Sequence, residues 1–272
     1  MIVIDKDIPH RSRSDKFRLY ALGDAHIGSV HSDEDGLERV ISKIKGEPHS
    51  YIIGMGDWCE AILSNDKRFD FGGLASWCEP DNILELQRKR VVNILKPVKG
   101  KVLAFLTGNH EETVHKSANV DQTKNICGDL GIPYGGYACF LNLKFERLTG
   151  HVTHSTTSMF QIHAWHGAGA ASTDGARMLR LMKLVNDFHA DVYLMGHLHD
   201  LKTSMPDRIE CINGKVRAVP LAAAITGAFL KGYTQGTTSY VEQKGYPPTT
   251  LGYAVVDFDP ENRRVTIKGE RL

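Results

Sequence analysis

Short apolar runs, each closed by glycine and polar residues, recur along most of the chain. Their length and their boundaries are typical of buried β-strands. The runs cover Phe17–Leu22, residues 51–55, Val102–Leu106, residues 159–165 and Val192–Met195. We therefore predict five strands, each followed by a polar loop.

Amphipathic patterns with a helical period separate these runs. Residues 33–45 carry apolar side chains at i, i+3, i+4 and i+7, counted from Leu37, which is the spacing of one helix face. Similar patterns predict helices over residues 81–95, 117–130 and 174–188, and Asp174 is suited to cap the last of them. Strands that alternate with helices indicate an α/β fold.

The two ends of the chain depart from this alternation. Residues 1–15 are polar, and we predict an N-terminal arm or loop there. Residues 201–272 contain strand-like runs and turns without a helical pattern, so we expect them to complete a second, more antiparallel sheet. Because no linker rich in Pro, Gly or Ser divides the chain, we predict a single domain over residues 1–272.

Composition restricts the class of protein. The chain is 42% hydrophobic and 24% charged, as in ordinary globular proteins, and its formal net charge is only +1, which does not favour nucleic-acid binding by bulk charge. It has no apolar run of about 20 residues and no secretory leader, so we expect no membrane association. The five cysteines are widely spread without a CxxC, which predicts no disulfide framework and favours the reducing cytoplasm.

The polar clusters after the five strands consist of metal-ligand residue types. In chain order they are Asp24 with His26, Asp57, Asn109 with His110, His166, and His197 with His199. Functional side chains of open α/β sheets collect at the carboxyl ends of the strands. Residues i and i+2 of a strand face the same side, so each Asp-x-His or His-x-His pair is expected to enter one cavity. By the same alternation, His163 faces away from His166 and is predicted to pack in the interior.

This ordered set of motifs resembles the calcineurin-like metallophosphoesterase superfamily, whose pattern runs DxH, GD, GNH with a following acid, His and GHxH. The resemblance spans roughly residues 17–200 and implies two mixed β-sheets packed face to face and flanked by helices, a four-layer α-β-β-α fold. It implies a first metal ion bound by Asp24, His26 and His199. It implies a second ion bound by Asn109, His166 and His197, with Asp57 bridging both.

The chemistry of two metal ions accounts for these residue types. Two divalent ions about 3.5–4 Å apart can clamp a phosphoryl group and convert a bridging water into hydroxide. The mixed nitrogen and oxygen donors suit Mn, Fe, Zn or Ni more than Mg or Ca, and we expect Mn. The resemblance makes His110 the residue that stabilises the transition state and protonates the leaving oxygen. Glu111 either orients that imidazole or is a surface acid.

Departures from the motifs of particular branches of the family reduce the number of substrate classes to consider. Gly56-Asp57 lacks the near Asp-Arg pair that follows this motif in protein serine/threonine phosphatases, so that branch is disfavoured. The opening motif at residues 22–28 looks closest to the DNA-repair exonuclease branch, although Glu60 stands where that branch carries a histidine. Residues 226–248 either line the substrate cleft, with tyrosines that could stack on a base, or form an irregular meander with half-buried tyrosines.

We therefore predict a di-metal phosphoesterase that hydrolyses phosphodiesters of nucleotide or nucleic-acid type. The competing prediction is a phosphomonoesterase that acts on nucleotides or other small phosphate esters. A third hypothesis is a catalytically silent scaffold of the same fold, which is disfavoured because all the ligand residues are present. The expected partner is a phosphoester substrate, which could be a nucleotide or a nucleic acid. Five further histidines are expected in loops or at the surface, namely His31, His115, His151, His154 and His189.

Overall fold

Strands dominate the structure, a computed structural model that describes residues 1–148 and 156–272. The strands in this part of the chain are β1 (Ile2–His10), β2 (Phe17–Leu22), β3 (Ser50–Gly54), β4 (Val102–Leu106), β5 (Tyr134–Gly136), β6 (Ala138–Arg147), β7 (Thr156–Trp165), β8 (Val192–Met195), β9 (Leu201–Ser204), β10 (Asp207–Ile212), β11 (Lys215–Pro220), β12 (Ala222–Thr226), β13 (Gly252–Asp259) and β14 (Arg264–Arg271). The helices are α1 (Glu34–Gly46), α2 (Ile83–Leu95), α3 (Asn109–Ala118), α4 (Gln122–Leu130), α5 (Asp174–Asp187) and α6 (Tyr240–Gln243).

Most of these strands form two mixed sheets of six strands each. The first sheet has the order β14-β13-β2-β3-β4-β5, with β2, β3 and β4 parallel and β13 antiparallel to β2. The second sheet has the order β1-β6-β7-β8-β12-β9, with β7, β8 and β12 parallel. Strands β10 and β11 pair as a separate antiparallel hairpin. The carboxyl ends of the parallel strands therefore gather at one edge of each sheet.

The two sheets pack face to face through a shared apolar cluster. Phe145 of β6 and Phe160 of β7 contact Phe258 of β13, with ring centroids 5.7 and 5.1 Å apart respectively. Helices α1, α2 and α4 cover the outer face of the first sheet, and α5 covers the outer face of the second. The predicted four-layer α-β-β-α fold is confirmed.

The helical patterns correspond to helices, with two corrections. Thr173 rather than Asp174 caps α5, because its hydroxyl oxygen accepts a hydrogen bond from the Ala176 N–H at 3.2 Å. Predicted helices over residues 33–45, 81–95 and 174–188 appear as α1, α2 and α5. The predicted helix over residues 117–130 is wrong at its start, because α3 ends at Ala118 and Asn119 turns the backbone into the left-handed region with φ 55°. Asp121 then caps α4 by accepting a hydrogen bond from the Lys124 N–H at 2.9 Å.

The N-terminus corrects a third prediction. Residues 1–15 were expected to form an arm or loop, but Ile2–His10 form β1, which pairs in parallel with β6. Strand β1 lies at the edge of the second sheet, where one face stays exposed and carries Asp5 and Asp7. Because Asp5 and Asp7 interrupt the exposed face and only Ile8 and His10 are buried, the strand does not form a continuous apolar run.

The C-terminal third corrects a fourth prediction. Residues 201–272 were expected to complete the second sheet alone, but their strands are divided between the two sheets. Strands β9 and β12 join the second sheet, whereas β13 and β14 join the first. Within residues 1–148 and 156–272, no helix is long and apolar enough to cross a membrane. The five cysteines are free, and four of them are buried.

Candidate metal centre

Five loops bring the predicted ligand side chains together at one end of the sandwich. Three of these loops follow β2, β3 and β4 of the first sheet, and two follow β7 and β8 of the second. Parallel strands end at a common edge, so the topology itself makes the loops neighbours. The side chains that meet are Asp24, His26, Asp57, Asn109, His166, His197 and His199.

One group of four side chains surrounds a first position. Potential ligand atoms of Asp24, His26, Asp57 and His199 all lie within 4.8 Å of one another. The Nε2 atom of His199 is 3.2 Å from Asp24 Oδ1 and 3.2 Å from His26 Nε2. Two carboxylates and two imidazoles therefore point at one small volume, which is a donor set for a divalent cation.

A second group shares Asp57 with the first. Potential ligand atoms of Asp57, His166 and His197 lie within 4.8 Å of one another, and His166 Nε2 is 3.3 Å from Asp57 Oδ2. The Asn109 Oδ1 atom is 2.7 Å from His197 Nδ1 and 3.1 Å from His166 Nε2. The arrangement thus contains two adjacent donor sets with the Asp57 carboxylate between them.

Left-handed backbone turns aim these side chains, rather than the pleat of a strand. The φ angles are 50° at Asp24, 48° at His26, 49° at Asp57, 70° at His197 and 48° at His199. The expectation that i and i+2 residues of a strand supply each pair is therefore wrong, because all five lie beyond the strand ends. Non-glycine residues rarely adopt this conformation, and such residues cluster at functional sites.

Two glycines of the motifs are required by close backbone approach. Gly56 has φ 92°, a region that a side chain strongly disfavours. A Cβ atom on Gly108 would lie 2.0 Å from Asp57 Oδ1. These contacts let the loop after β3 and the start of α3 touch, which brings Asp57 beside Asn109.

The charge balance of the site fits divalent cations. Asp24 and Asp57 are 0% and 1% exposed, and among the described residues their charged contacts are histidines. Burial alone would lower the pKa of His166, but the Asp57 carboxylate prevails and raises it to about 9. Burial and the charge of His166 lower the pKa of His197 to about 4. Buried carboxylates need a compensating positive charge, and neutral imidazoles supply nitrogen donors to a cation that provides it.

Glu111 has neither of the roles predicted for it. Its side chain is buried, with 2% of the residue exposed, and it accepts backbone hydrogen bonds instead of orienting His110. Oε2 accepts from the N–H groups of Asp57 and Gly108 at 3.1 and 3.0 Å, and Oε1 accepts from Cys59 at 2.9 Å. Burial and the nearby Asp57 charge raise the pKa of Glu111 to about 7. Glu111 therefore holds the loop that carries the shared carboxylate.

His110 presents one ring nitrogen to the open side of the site. Its Nδ1–H donates to the Glu60 carbonyl oxygen at 2.5 Å, and its Nε2 lies 3.5 Å from the Arg68 guanidinium. Burial favours the neutral ring, but Asp57 and Glu60 outweigh it and raise the pKa of His110. The Glu60 carboxylate lies 2.8 Å from His26 Nδ1 and fixes that ring.

Arg68 was not predicted from the sequence. Asp66 accepts from Arg68 Nε at 3.1 Å and from Nη2 at 2.8 Å, which holds the guanidinium in place. Asp66 and Arg68 lie in a loop without a recognisable motif, and Arg68 follows Asp57 by eleven residues. Only the fold brings Arg68 to His110.

The other histidines fall outside the donor sets. His163 is 1% exposed and stacks on Phe188 with ring centroids 4.1 Å apart, and burial lowers its pKa to about 4. His31 lies in a loop, as expected, although it is buried at 8% exposure beside Thr234. His115 and His189 are exposed, while His151 and His154 lie outside the described residues.

A cleft of about 1000 Å³ opens above the donor sets. Its lining includes Lys67 and Arg68 from the loop after β3, and Lys231 and Lys244 from residues 226–248. Of the two alternatives for residues 226–248, part of the segment lines this cleft, including Leu230 and Val241. Tyr246 also lines it and is 37% exposed.

Comparison with known proteins agrees with this geometry. A sequence model of the calcineurin-like phosphoesterase family, Metallophos, matches residues 17–201, which is more than half of the chain. The chain belongs to the calcineurin-like phosphoesterase family. Membership implies a metal-dependent phosphoesterase. Among curated proteins, the sequence has no match.

Several solved structures are similar over most of the chain. A predicted phosphoesterase from Streptococcus pneumoniae TIGR4 is 12% identical, with coverage of 94% of this chain and 99% of that chain and a TM-score of 0.34. A metallophosphoesterase from Sphaerobacter thermophilus is 13% identical, with coverage of 95% and 90% and a TM-score of 0.42. GAP50, the anchor in the inner membrane complex of Plasmodium, is 13% identical, with coverage of 94% and 84% and a TM-score of 0.48.

Proposed function

We propose that this protein is a di-metal phosphoesterase that hydrolyses phosphodiesters of nucleotide or nucleic-acid type. The observation that carries the proposal is the pair of donor sets that share the Asp57 carboxylate at the base of the cleft. Such a pair is the arrangement that two-metal hydrolysis of phosphate esters requires.

The donor atoms divide naturally between two ions. Asp24, His26 and His199 would hold the first ion, and Asn109, His166 and His197 the second, with Asp57 as the shared ligand. The mixed oxygen and nitrogen donors suit first-row transition metals, and we propose manganese, with iron, zinc and nickel as alternatives. Bound ions would neutralise phosphoryl oxygens and lower the pKa of the water that attacks phosphorus.

The protein's own residues would then handle the leaving group. Nδ1 of His110 is committed to the Glu60 carbonyl, so Nε2 is the ring atom that faces the cleft. A proton carried there can pass to the leaving oxygen. Arg68, beside that nitrogen, is positioned to donate hydrogen bonds to an oxygen of the same phosphoryl group.

The shape and charge of the cleft favour a diester. A phosphodiester carries a substituent on each side of phosphorus, and the cleft of about 1000 Å³ leaves room for both and is lined by cationic residues, Lys67 and Arg68 among them. The second candidate function is phosphomonoester hydrolysis. It is favoured by Arg68, because a guanidinium close to the phosphoryl site suits the additional charge of a monoester.

The test is metal-dependent turnover of paired substrates. Metal-stripped protein, with manganese added back, would be assayed on bis(4-nitrophenyl) phosphate and on 4-nitrophenyl phosphate. We expect turnover only with metal and a higher kcat/KM for the diester. His197→Ala should abolish activity on both, whereas His115→Ala, an exposed histidine outside the site, should retain it. Absence of metal-dependent turnover would contradict the proposal, and faster monoester turnover would select the second candidate.

We also propose that residues 1–272 fold as a single domain in the cytoplasm. The cluster between the sheets draws on Ile8 near one end of the chain and Ile267 near the other. The free cysteines support a reducing compartment. We expect one unfolding transition with coincident circular dichroism and fluorescence curves, and two separate transitions would contradict a single domain.

A further inference from the structure

A histidine outside the two donor sets lines the cleft. His31 follows the ligand residue His26 by five positions, in the loop between β2 and α1. It is only 8% exposed, and the surface that remains belongs to the lining of the cleft. Neither donor set of the described residues includes His31, so the mechanism proposed above gives this side chain no role.

Backbone contacts on both sides fix the position of His31. On one side, the N–H group of the preceding residue, Val30, donates to the Gly73 carbonyl oxygen at 2.9 Å. On the other side, the Lys231 N–H donates to the carbonyl oxygen of His31 itself at 2.9 Å. The loop is therefore held between two segments that also line the cleft, and its side chain is positioned before any ligand binds.

The two ring nitrogens of His31 have different surroundings. Nδ1 forms a hydrogen bond with Thr234 Oγ1 at 3.3 Å. Nε2 has no hydrogen-bond partner among residues 1–148 and 156–272, and the fully buried unpaired atoms of this part of the chain include both ring nitrogens of His163 but not this one. Nε2 is therefore the atom that can contact a ligand in the cleft. Burial lowers the pKa of His31, so the ring is uncharged near pH 7 and suits a neutral polar group.

Apolar side chains flank His31 in the cleft. An isolated antiparallel bridge joins Ser29 to Leu74 on one side of the histidine. A second such bridge joins Ser32 to Leu230 on the other side, and both leucines line the cleft. Apolar walls with a few well-placed polar groups are typical of pockets that bind an organic group.

We propose that His31 determines substrate specificity by forming a hydrogen bond, through Nε2, with the edge of a nucleobase on the substrate. The inference rests on the proposed function, because metal ions at the base of the same cleft would hold the phosphoryl group. A nucleobase offers flat apolar faces to Leu74 and Leu230 and neutral donors and acceptors to the imidazole. A sugar alone would leave the leucines uncovered, and an acyl chain would leave the imidazole unpaired, which is unfavourable.

Isothermal titration calorimetry on the manganese-loaded protein tests the proposal. The ligands are the 5′-phosphorothioates of thymidine and adenosine and phenyl phosphorothioate, which are chosen to resist hydrolysis. The phenyl ligand has a flat apolar ring without a hydrogen-bonding edge, so wild type should bind at least one nucleoside ligand more tightly. His31→Leu should weaken binding of that nucleoside ligand about tenfold, as expected for the loss of one hydrogen bond. It should leave the affinity for the phenyl ligand unchanged.

Two further variants separate the ring nitrogen from packing. His31→Gln places an amide near the position of Nε2 and should recover most of the affinity. His31→Asn places an amide near Nδ1, on the side of Thr234, and should bind nucleosides as weakly as His31→Leu. His189→Leu is the matched control, because the His189 side chain is 79% exposed and lies outside the cleft, and it should bind like wild type. An unchanged circular dichroism signal and an unchanged affinity for phenyl phosphorothioate would show that each variant is folded with its metal centre intact.

Turnover of thymidine 5′-(4-nitrophenyl) phosphate separates this inference from the proposed function. Metal-dependent turnover, together with equal affinity of wild type and His31→Leu for the nucleoside ligands, would overturn the role of His31 and leave the proposed function standing. Nucleoside binding that depends on His31, without turnover of this diester, would support the subsite and contradict the proposed function. Nucleoside ligands that bind wild type no more tightly than the phenyl ligand, or a His31→Asn protein that binds them like wild type, would overturn the inference.

Discussion

Replacing Glu111 by glutamine tests whether a buried carboxylate holds the metal-binding loops. Glutamine has nearly the same size, so packing is preserved and only the acceptor pattern changes. In the wild type, Oε2 serves the N–H groups of Asp57 and Gly108 while Oε1 serves Cys59. A glutamine amide has one oxygen and one NH₂ group, so in either orientation at least one buried N–H loses its acceptor.

The expected loss follows from these three contacts. An unsatisfied buried donor costs about 1–3 kcal/mol, and bonds to a charged acceptor are worth about twice those to a neutral one. The ionised carboxylate also carries the burial cost and the Asp57 repulsion that raise its pKa to about 7, and glutamine removes both. We therefore expect Glu111→Gln to lower the free energy of unfolding by only about 1 kcal/mol. Unfolding entropy is about 0.6 kcal/mol per kelvin for 272 residues, so Tm should fall by about 2 °C. Metal affinity should fall about 10–100-fold, because Asp57 loses its support.

The assay is thermal unfolding followed by circular dichroism in chelator, with manganese titrated separately. A pH of about 8.5 keeps Glu111 ionised, since its pKa is raised to about 7 by burial. Glu112→Gln is the matched control, because Glu112 is the neighbouring residue and makes a partly exposed ion pair with Lys116. Its Tm should change by less than about 1 °C. A Tm for Glu111→Gln as close to wild type as that of the control would refute the role of Glu111.

Three further predictions concern the leaving group, acid stability and the metal. His110→Ala should reduce kcat by about 10²–10⁴-fold on an alkyl diester but less on a nitrophenyl diester, with metal retained; equal losses would remove the general-acid role. Glu270 accepts from Lys43 and Tyr253, and although burial opposes ionisation, hydrogen bonds lower its pKa to about 2. The contribution of Glu270 to the free energy of unfolding is complete above about pH 4.5 and is lost as pH falls toward 2. The difference in the free energy of unfolding between wild type and Glu270→Gln, measured by urea denaturation, should therefore shrink by about 2 kcal/mol from pH 7 to pH 3. A difference that stays constant over this range would contradict the prediction. Chelation should abolish activity but preserve the far-UV circular dichroism signal, and loss of that signal would show that folding requires metal.

The fold could be predicted wherever local pattern and burial agree. Strands β2, β3, β4, β7 and β8 are the central parallel strands or their neighbours, and their buried faces produce apolar runs that the sequence displays. Strand β1 could not be identified in this way, because charged residues on the exposed face of an edge strand make it resemble a loop. The break between α3 and α4 was also concealed, because the left-handed turn at Asn119 interrupts no apolar repeat.

The candidate site shows a similar division between local and tertiary information. The ligand types are visible because they stand beside glycines directly after strands. The supporting residues are not, because their roles depend on contacts between distant segments. Glu111 is adjacent to His110 in sequence but bonds to backbone 52 and 54 residues away at Cys59 and Asp57. Arg68 reaches His110 across 42 residues, a contact for which the sequence carries no periodic signal.

The site also joins the two sheets electrostatically. The first sheet supplies both buried carboxylates, Asp24 and Asp57, and the second supplies only imidazoles, among them His166 and His197. Backbone contacts link the two sides, since the His197 N–H donates to Asp24 at 3.0 Å. Without a cation, a proton on His166 compensates the Asp57 charge, which is why its pKa rises to about 9. Cations that replace this proton would bind ligands from both sheets at once, so metal binding should stabilise the packing of the sheets as well as the site.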